Sequence, residues 1–426
     1  MEVIILCGGL GTRLRSVVHE IPKCLALVRE CPFLEYILDW LSAYPVEHVV
    51  FSVGYLKEQI IEFVQGREWP FSYDFAVEER PLGTGGGIRL AMSLCHSDHV
   101  FVLNGDTFYP VDLSAMPFTH PVTLALKPMK DFDRYGSVSV MPLAQEASVR
   151  VGVAMAEEKW FFEQPHEKYF SSTVGPADAL QVTAFQEKKH CAEGLINGGV
   201  YAIDRSRLDL SGLPEKFSIE KDVLEPGVAI GQVGGWLSEA YFIDIGIPED
   251  YEHAQWALPA WKAVRKASEA VLQTLADTLF LDRDGVLNRH LDGDYVRSWA
   301  QWEWMPGVLQ ELSRWSAKFR HIILVSNQRG VGKGVMSDED LSRINARMMA
   351  DILEAGGRLD LALYCTSVAE EDLRRKPHIG MFHEACALFP DIDAKSSVML
   401  GDMPVDAAFA ANCGMNVILL NPEEAS

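Results

Sequence analysis

Long apolar runs are missing from this sequence. No stretch of about 18 or more uncharged apolar residues occurs, which excludes a membrane-spanning helix. The apolar start at residues 3–7 is too short for the core of a secretion signal and runs into glycines and an arginine, so it reads as a buried strand entering a loop. Positive charge is scarce: 38 Lys and Arg face 60 Asp and Glu, a formal net charge of -22. That balance opposes a nucleic-acid-binding face. It leaves anionic small molecules open, because a bound divalent metal inverts the local field. The 8 cysteines are scattered, and none forms a Cys-x-x-Cys pair or a disulfide framework. Repeats and low-complexity segments are also lacking. These absences point to a reducing cytoplasm and to no membrane or nucleic-acid partner.

What is present is ample core material: 48% of the 426 residues are hydrophobic, in a chain too long for one ordinary domain. Short apolar strands at 3–7, 48–53 and 99–103 alternate with amphipathic segments, and 33–43 carries apolar residues at helical spacing. Residues 121–201 alternate more like strands of a mixed sheet. A helix-favouring stretch over 250–277, broken by Pro259, reads as a connection, and a second strand–helix series then begins at 278–281 and continues at 322–325 and 398–400. The predicted organisation is α/β: a domain over 1–255, a helical linker over 256–276 and a domain over 277–426, each a Rossmann-like, mostly parallel sheet.

In the first half, strand 3–7 leads into Gly8, Gly9, Leu10, Gly11, Thr12 and Arg13. Such glycines let backbone N–H groups approach phosphate oxygens, and the arginine adds charge-assisted bonds; a plain tight turn is the alternative. Pro22-Lys23 follows, then ERPLGTGG over 79–86. Asn104-Gly105-Asp106 ends one apolar strand and Asp244 ends another run. Strand ends are where open parallel sheets bind ligands, and the two aspartates could share a divalent cation or merely cap turns.

Taken in order, GGLGTRLR, IPKCLALV, ERPLGTGGGIRLA, VLNGDT, FQEK, INGGVYAI and IDIGIPEDY resemble the sugar nucleotidyltransferase family over about residues 1–250. The resemblance implies that Gly8, Gly9, Gly11, Thr12 and Arg13 hold a nucleoside triphosphate, that Lys23 assists at the transferring phosphates, and that Gly83 and Thr84 lie at the base. It implies Mg²⁺ on Asp106 and Asp244, and sugar phosphate on Glu187, Lys188, Asn197 and Gly198. Transfer of this kind needs positioning and charge neutralisation more than an acid–base pair. The flanks LRSVVHEIPK, PFLEYILDWL and FIDIGIPEDY look most like heptose 1-phosphate guanylyltransferases, which makes GTP the implied co-substrate. Mannose- and glucose-1-phosphate enzymes share the general motifs. Where many members have proline and methionine after Pro-Lys, this chain has Cys24 and Leu25.

In the second half, strand 278–281 leads into Asp282-Arg283-Asp284-Gly285. One aspartate can serve as nucleophile and the other as acid and base, although a calcium loop or a cap is the alternative. Ser326-Asn327-Gln328, Arg375-Lys376-Pro377 and Gly401-Asp402 with Asp406 then supply a hydroxyl, cations and acid groups. This order resembles the haloacid dehalogenase superfamily over 276–426, and LDRDGVLN, VSNQRGVGKG and RRKPHIGM look like its heptose bisphosphate and histidinol phosphate phosphatases. The resemblance makes Asp282 the nucleophile and Asp284 the general acid/base. Ser326 and Lys376 steady the phosphoryl group, Asp282, Asp284 and Asp402 supply the Mg²⁺ site, and Asn327, Arg375 and Lys333 meet the substrate. Many relatives carry a zinc loop of four ligands, whereas here Cys365-Thr366-Ser367 stands alone, so no zinc is expected.

The two resemblances imply consecutive steps toward GDP-heptose for a cell-surface glycan such as lipopolysaccharide, with phosphorylated sugars and a nucleoside triphosphate as partners. A mannose or glucose enzyme fused to a histidinol-phosphate-type phosphatase is the alternative, and a homo-oligomer is left open.

Overall fold

The computed structural model describes residues 1–9, 13–14, 17–18, 20–142, 180–186 and 188–421. Gly11, Thr12 and Glu187 lie outside the described residues. The chain divides into two compact units, Met1–Leu27 with Pro32–Tyr251, and Val28–Cys31 with Glu252–Ser426.

The first unit is built on a nine-stranded sheet. Its strands are β1 (Glu2–Leu6), β2 (His48–Val53), β3 (Ser72–Val77), β4 (His99–Asn104), β5 (Val122–Phe132), β6 (Ser137–Pro142), β7 (Leu180–Phe185), β8 (Cys191–Asp204) and β9 (Val233–Leu237). They lie in the order β3-β2-β1-β4-β8-β5-β9-β7-β6. The first four run parallel. Val3, Ile4 and Ile5 are fully buried, as expected of a parallel strand covered on both faces. From β8 onward most neighbours are antiparallel, which is the mixed region that the alternation predicts. Helix α1 (Phe33–Leu41) buries Phe33, Leu34, Tyr36, Ile37, Leu38, Trp40 and Leu41, so it is enclosed on more than one face.

The second unit holds a five-stranded parallel sheet of β10 (Thr278–Leu281), β11 (His321–Asn327), β12 (Leu361–Cys365), β13 (Ser397–Gly401) and β14 (Asn416–Leu419). Their order is β12-β11-β10-β13-β14. Alternate residues feed two cores: Leu279, Leu281, Ile322 and Leu324 join one, and Phe280, Ile323, Val325 and Met399 the other.

The connection differs from expectation. Pro248–Gln273 is one continuous helix with Pro259 inside it, not a broken linker. Proline removes the bond to the carbonyl four residues back, that of Gln255. Arg29 takes it up: its Nε donates to the Gln255 carbonyl at 3.2 Å and its backbone N–H to the Gln255 side chain at 2.6 Å. Ala260, Ala263, Val264, Ala267 and Val271 of this helix are buried in the second unit's core, so most of the expected linker is core of that unit.

Candidate active sites

Both centres lie at the carboxyl ends of parallel strands. In the first unit Gly8 and Gly9 follow β1, and Asp106 follows β4 on a tight turn. A small antiparallel pair, Thr107–Phe108 with Ile243–Asp244, then brings distant carboxylates together. Lys23, on a short 3-10 turn after Pro22, sits between them: its Nζ is 2.6 Å from Asp106 Oδ2 and 3.5 Å from Asp244 Oδ1. Burial pushes the Asp244 carboxyl up, Asp106 pushes it the same way, and Lys23 pulls it back. Excess negative charge therefore gathers at this strand end.

The glycine motifs have separate local reasons. Gly83 opens the helix Gly83–Met92 at φ +74°, and a Cβ there would stand 2.5 Å from the Phe217 carbonyl oxygen. Gly83→Ala should therefore melt earlier by about 1 kcal/mol or more. A melting curve of the purified variant checks this. Thr84 is braced internally, its hydroxyl donating to Glu220 Oε2 at 2.8 Å and accepting from the Ile219 N–H at 3.0 Å. Asn197 and Gly198 sit where β8 breaks register against β5. The Asn197 side chain donates to Tyr201 at 3.0 Å and accepts from the Gly199 N–H at 3.1 Å, while Gly198 lies flat against the Tyr109 ring, where a Cβ would overlap it. Lys188 and Arg13 are exposed.

Sequence reasoning passed over Glu78 and the Arg134–Tyr135 pair. The Glu78 carboxylate backs Gly8, accepting from the Leu82 N–H at 2.9 Å and the Ser52 hydroxyl at 3.2 Å. Arg134 forks onto Asp250 at 2.7 and 3.1 Å, and burial, then the Asp244 charge, pushes the Tyr135 hydroxyl up. No strand or helix period marks these positions, since they lie outside the strands and helices.

In the second unit Asp282 directly follows β10, its N–H bonded to the Leu400 carbonyl at 3.0 Å. Lys376 is 1% exposed and joins Asp282 Oδ1 at 3.0 Å to Asp406 Oδ1 at 2.6 Å. Burial disfavours its charge, but the two carboxylates outweigh burial and raise its pKa. Asn327 fixes the lysine by exchanging both amide bonds with the Lys376 backbone, each 3.0 Å.

Asp282, Asp402 and Asp406 bring carboxylate oxygens within 4.8 Å of one another. Burial, then Asp282 and Asp406, push the Asp402 carboxyl up to about 8. For Asp282 burial raises the value most, Lys376 opposes it, and the net result is about 6. Asp402 Oδ1 is buried and has no hydrogen-bond partner among the described residues. Crowded hard oxygen donors, one of them orphaned, are the donor set that suits Mg²⁺.

Asp284 stands apart from that cluster. Its carboxylate accepts from both Arg283 (3.1 Å to each oxygen) and Asn288 (2.9 Å), and from Gln328 (2.7 Å). Burial alone would raise it, yet the Arg283 charge and these bonds hold it below the usual carboxylate range. The Ser326 hydroxyl is buried beside it and accepts from Gln328 at 2.9 Å. Arg375 is turned away onto the Val368 carbonyl at 3.0 Å. The sequence placed the Asp-x-Asp pair but not the roles of Arg283, Asn288 and Gln328 in holding its second member. Near Cys365, His378 contacts the Glu370 carbonyl at 2.9 Å, and no metal-competent group of three appears there among the described residues.

Fold and sites together define a two-centre enzyme, a nucleotidyltransferase joined to a phosphatase. Residues 2–260 match the nucleotidyl transferase family and 279–424 match the polynucleotide kinase 3 phosphatase family. The chain is 40% identical to D-glycero-alpha-D-manno-heptose 1-phosphate guanylyltransferase of Aneurinibacillus thermoaerophilus, over 60% of this chain and 97% of that protein. It is 37% identical to D-glycero-alpha-D-manno-heptose-1,7-bisphosphate 7-phosphatase of Mycobacterium tuberculosis, over 32% of this chain and 71% of that one. A solved structure of HddC from Yersinia pseudotuberculosis is 30% identical, covering 60% of this chain and 97% of its own, with a TM-score of 0.47. The chain belongs to the nucleotidyl transferase family through its first unit and to the family of the heptose bisphosphate 7-phosphatases through its second. Among the described residues no helix is long and apolar enough to cross a membrane.

Proposed function

We propose that the chain makes GDP-heptose in two steps, removing the 7-phosphate of D-glycero-D-manno-heptose 1,7-bisphosphate and then transferring GMP from GTP to the heptose 1-phosphate. The pairing of relatives carries this reading: one is a 7-phosphatase of the bisphosphate, and the other is a guanylyltransferase for the 1-phosphate that such a phosphatase leaves. A polynucleotide substrate, which the description of one matched family would suggest, fits poorly with a net charge of -22.

In the phosphatase centre the Asp282 carboxylate attacks phosphorus while Lys376 offsets charge on the phosphoryl oxygens. Asp284 protonates the departing C7 oxygen and then takes a proton from the water that cleaves the aspartyl-phosphate. Its depressed pKa favours the carboxylate, the form needed in the second half-reaction; the arriving phosphoryl dianion favours the protonated form needed in the first. Asp282 and Asp402 would hold Mg²⁺, which supplies charge neutralisation for phosphoryl transfer.

In the transferase centre the sugar phosphate oxygen attacks the α-phosphorus and pyrophosphate leaves. Gly8, Gly9 and Arg13 hold the triphosphate, Lys23 meets the transferring phosphates, and Asp106 and Asp244 would hold a second Mg²⁺. A cytoplasmic setting suits the eight free cysteines, and the product would serve a cell-surface glycan.

Incubating the full chain with heptose 1,7-bisphosphate, GTP and Mg²⁺ should yield GDP-heptose by mass spectrometry, and EDTA should stop both steps. Mannose 1-phosphate used as readily as heptose 1-phosphate would sink the heptose assignment.

A further inference from the structure

Arg283, the residue between the two aspartates, is 1% exposed, and burying a guanidinium is costly unless its partners require it there. It sits over the Trp302 ring, 5.7 Å from the centroid, and its Nη1 donates to Asn345 Oδ1 at 3.4 Å. Trp302 is stacked on Trp299 and edged by Trp304, with ring centroids 5.1 and 5.0 Å apart. Trp304 is pinned in turn, its Nε1 donating to Asp351 at 3.3 Å. Asn345 and Asp351 lie on one helix, Asp338–Glu354. The guanidinium is thus seated against a packed aromatic wall, with Nη2 directed at Asp284.

That nitrogen lies 3.1 Å from each Asp284 oxygen. Asn288 serves Oδ1 alone at 2.9 Å, and Gln328 serves Oδ2 alone at 2.7 Å. A donor shared equally between two oxygens fixes the plane of a carboxylate without saturating either one. When one oxygen takes up or gives up a proton, the shared N–H passes to the other and the group keeps its place. Asn288 and Gln328 lack this freedom, since each serves a single oxygen.

We propose that Arg283 is a positioning residue for the acid–base step: acting through Asp284, it holds that carboxyl toward the departing sugar oxygen in both of its protonation states. This rests on the phosphatase reading above. As an Asp282 oxygen bonds to phosphorus, the bond from phosphorus to the C7 oxygen breaks and the Asp284 proton moves to that oxygen. When water then attacks the aspartyl-phosphate, its proton passes to Asp284 and phosphate leaves Asp282. A sugar alkoxide is a poor leaving group and needs the first proton, whereas p-nitrophenolate departs without one. Two substrates are thereby separated that a general loss of structure would not separate.

The test is single-turnover kinetics of the full chain with Mg²⁺, protein in excess, on heptose 1,7-bisphosphate and on p-nitrophenyl phosphate. Arg283→Met keeps the length and removes the donors. In it heptose 1-phosphate should form about a hundredfold more slowly, the lower end of the range for one general acid. p-Nitrophenolate should appear within about threefold of the parent rate, because no proton is needed for its departure. Inorganic phosphate should then follow slowly, since hydrolysis of the aspartyl-phosphate still requires Asp284 as base. Arg283→Lys should fall between, its ammonium being a point charge without a planar set of donors. Asn345→Ala, which only unseats the guanidinium, should show a smaller loss of the same pattern; if the methionine variant does not fold, these two carry the comparison. Equal slowing of the first turnover on both substrates, or no slowing on the bisphosphate, would overturn the proposal. Failure of the phosphatase reading would look different: the unmutated protein itself would release neither product.

Discussion

Asp282→Asn should abolish phosphate release while nucleotidyl transfer continues at the parent rate. The amide keeps the shape of the carboxylate but cannot attack phosphorus, and loss of a covalent nucleophile lowers turnover by on the order of 10⁴-fold or more. The fold should survive. Asp282 is buried against Asp406 and Asp402, and its carboxyl is pushed up to about 6 chiefly by burial, so a neutral group relieves repulsion there. The Lys376 ammonium keeps Asp406 at 2.6 Å and is not stranded. In the absence of Mg²⁺ the variant should melt at or above the parent temperature. Two assays on one sample decide the matter: inorganic phosphate from the bisphosphate, and pyrophosphate from GTP with heptose 1-phosphate. Loss of both activities together would contradict independent centres.

Lys23→Ala should give the mirror result, silencing the transferase and sparing the phosphatase. The Lys23 ammonium is the one cation seen between Asp106 and Asp244 among the described residues, at 2.6 and 3.5 Å. Removing it leaves two carboxylates facing each other, with Asp244 already held up by burial and by Asp106. In the proposed reaction it also removes a positive charge where the triphosphate gains negative charge in the transition state. Together these should cost about 10³-fold in turnover, the usual scale for one electrostatic group in such a site. Lys23→Arg should not restore full activity, because a planar fork cannot take the place of a point charge packed on a tight turn. Pyrophosphate release by the purified variant is the measurement, and a loss below tenfold would remove Lys23 from the transferring phosphates.

Some of this was legible from residue order alone. The strands at 48–53 and 278–281 stand where the apolar runs put them, because burial on both faces selects mostly apolar residues. Pro259 misled for an equally physical reason. A proline interrupts a helix unless the carbonyl it leaves free finds another donor, and that donor, Arg29, lies 226 residues away in sequence. No local pattern carries such a partner. Asp284 is a similar case: the Asp-x-Asp spacing marks it, but the Arg283, Asn288 and Gln328 bonds that hold it depend on where β11 ends beside β10.

What the sequence by itself determined is the chemistry available: glycines before Arg13, lysines at 23 and 376, and carboxylates at 106, 244, 282, 284, 402 and 406. Beside a phosphate, such side chains neutralise charge, hold a hard cation, or attack phosphorus. What the tertiary structure alone decided is which of them act together. The ribbon of Thr107–Phe108 with Ile243–Asp244 sets Asp244 beside Asp106, parallel β10 and β13 set Asp402 beside Asp282, and a turn after β11 leaves Arg329 without an acceptor while Arg375 faces a carbonyl. Charge and hydrogen bonding act over a few ångströms. Proximity in the chain does not measure that distance, and only the folded backbone brings these groups within it.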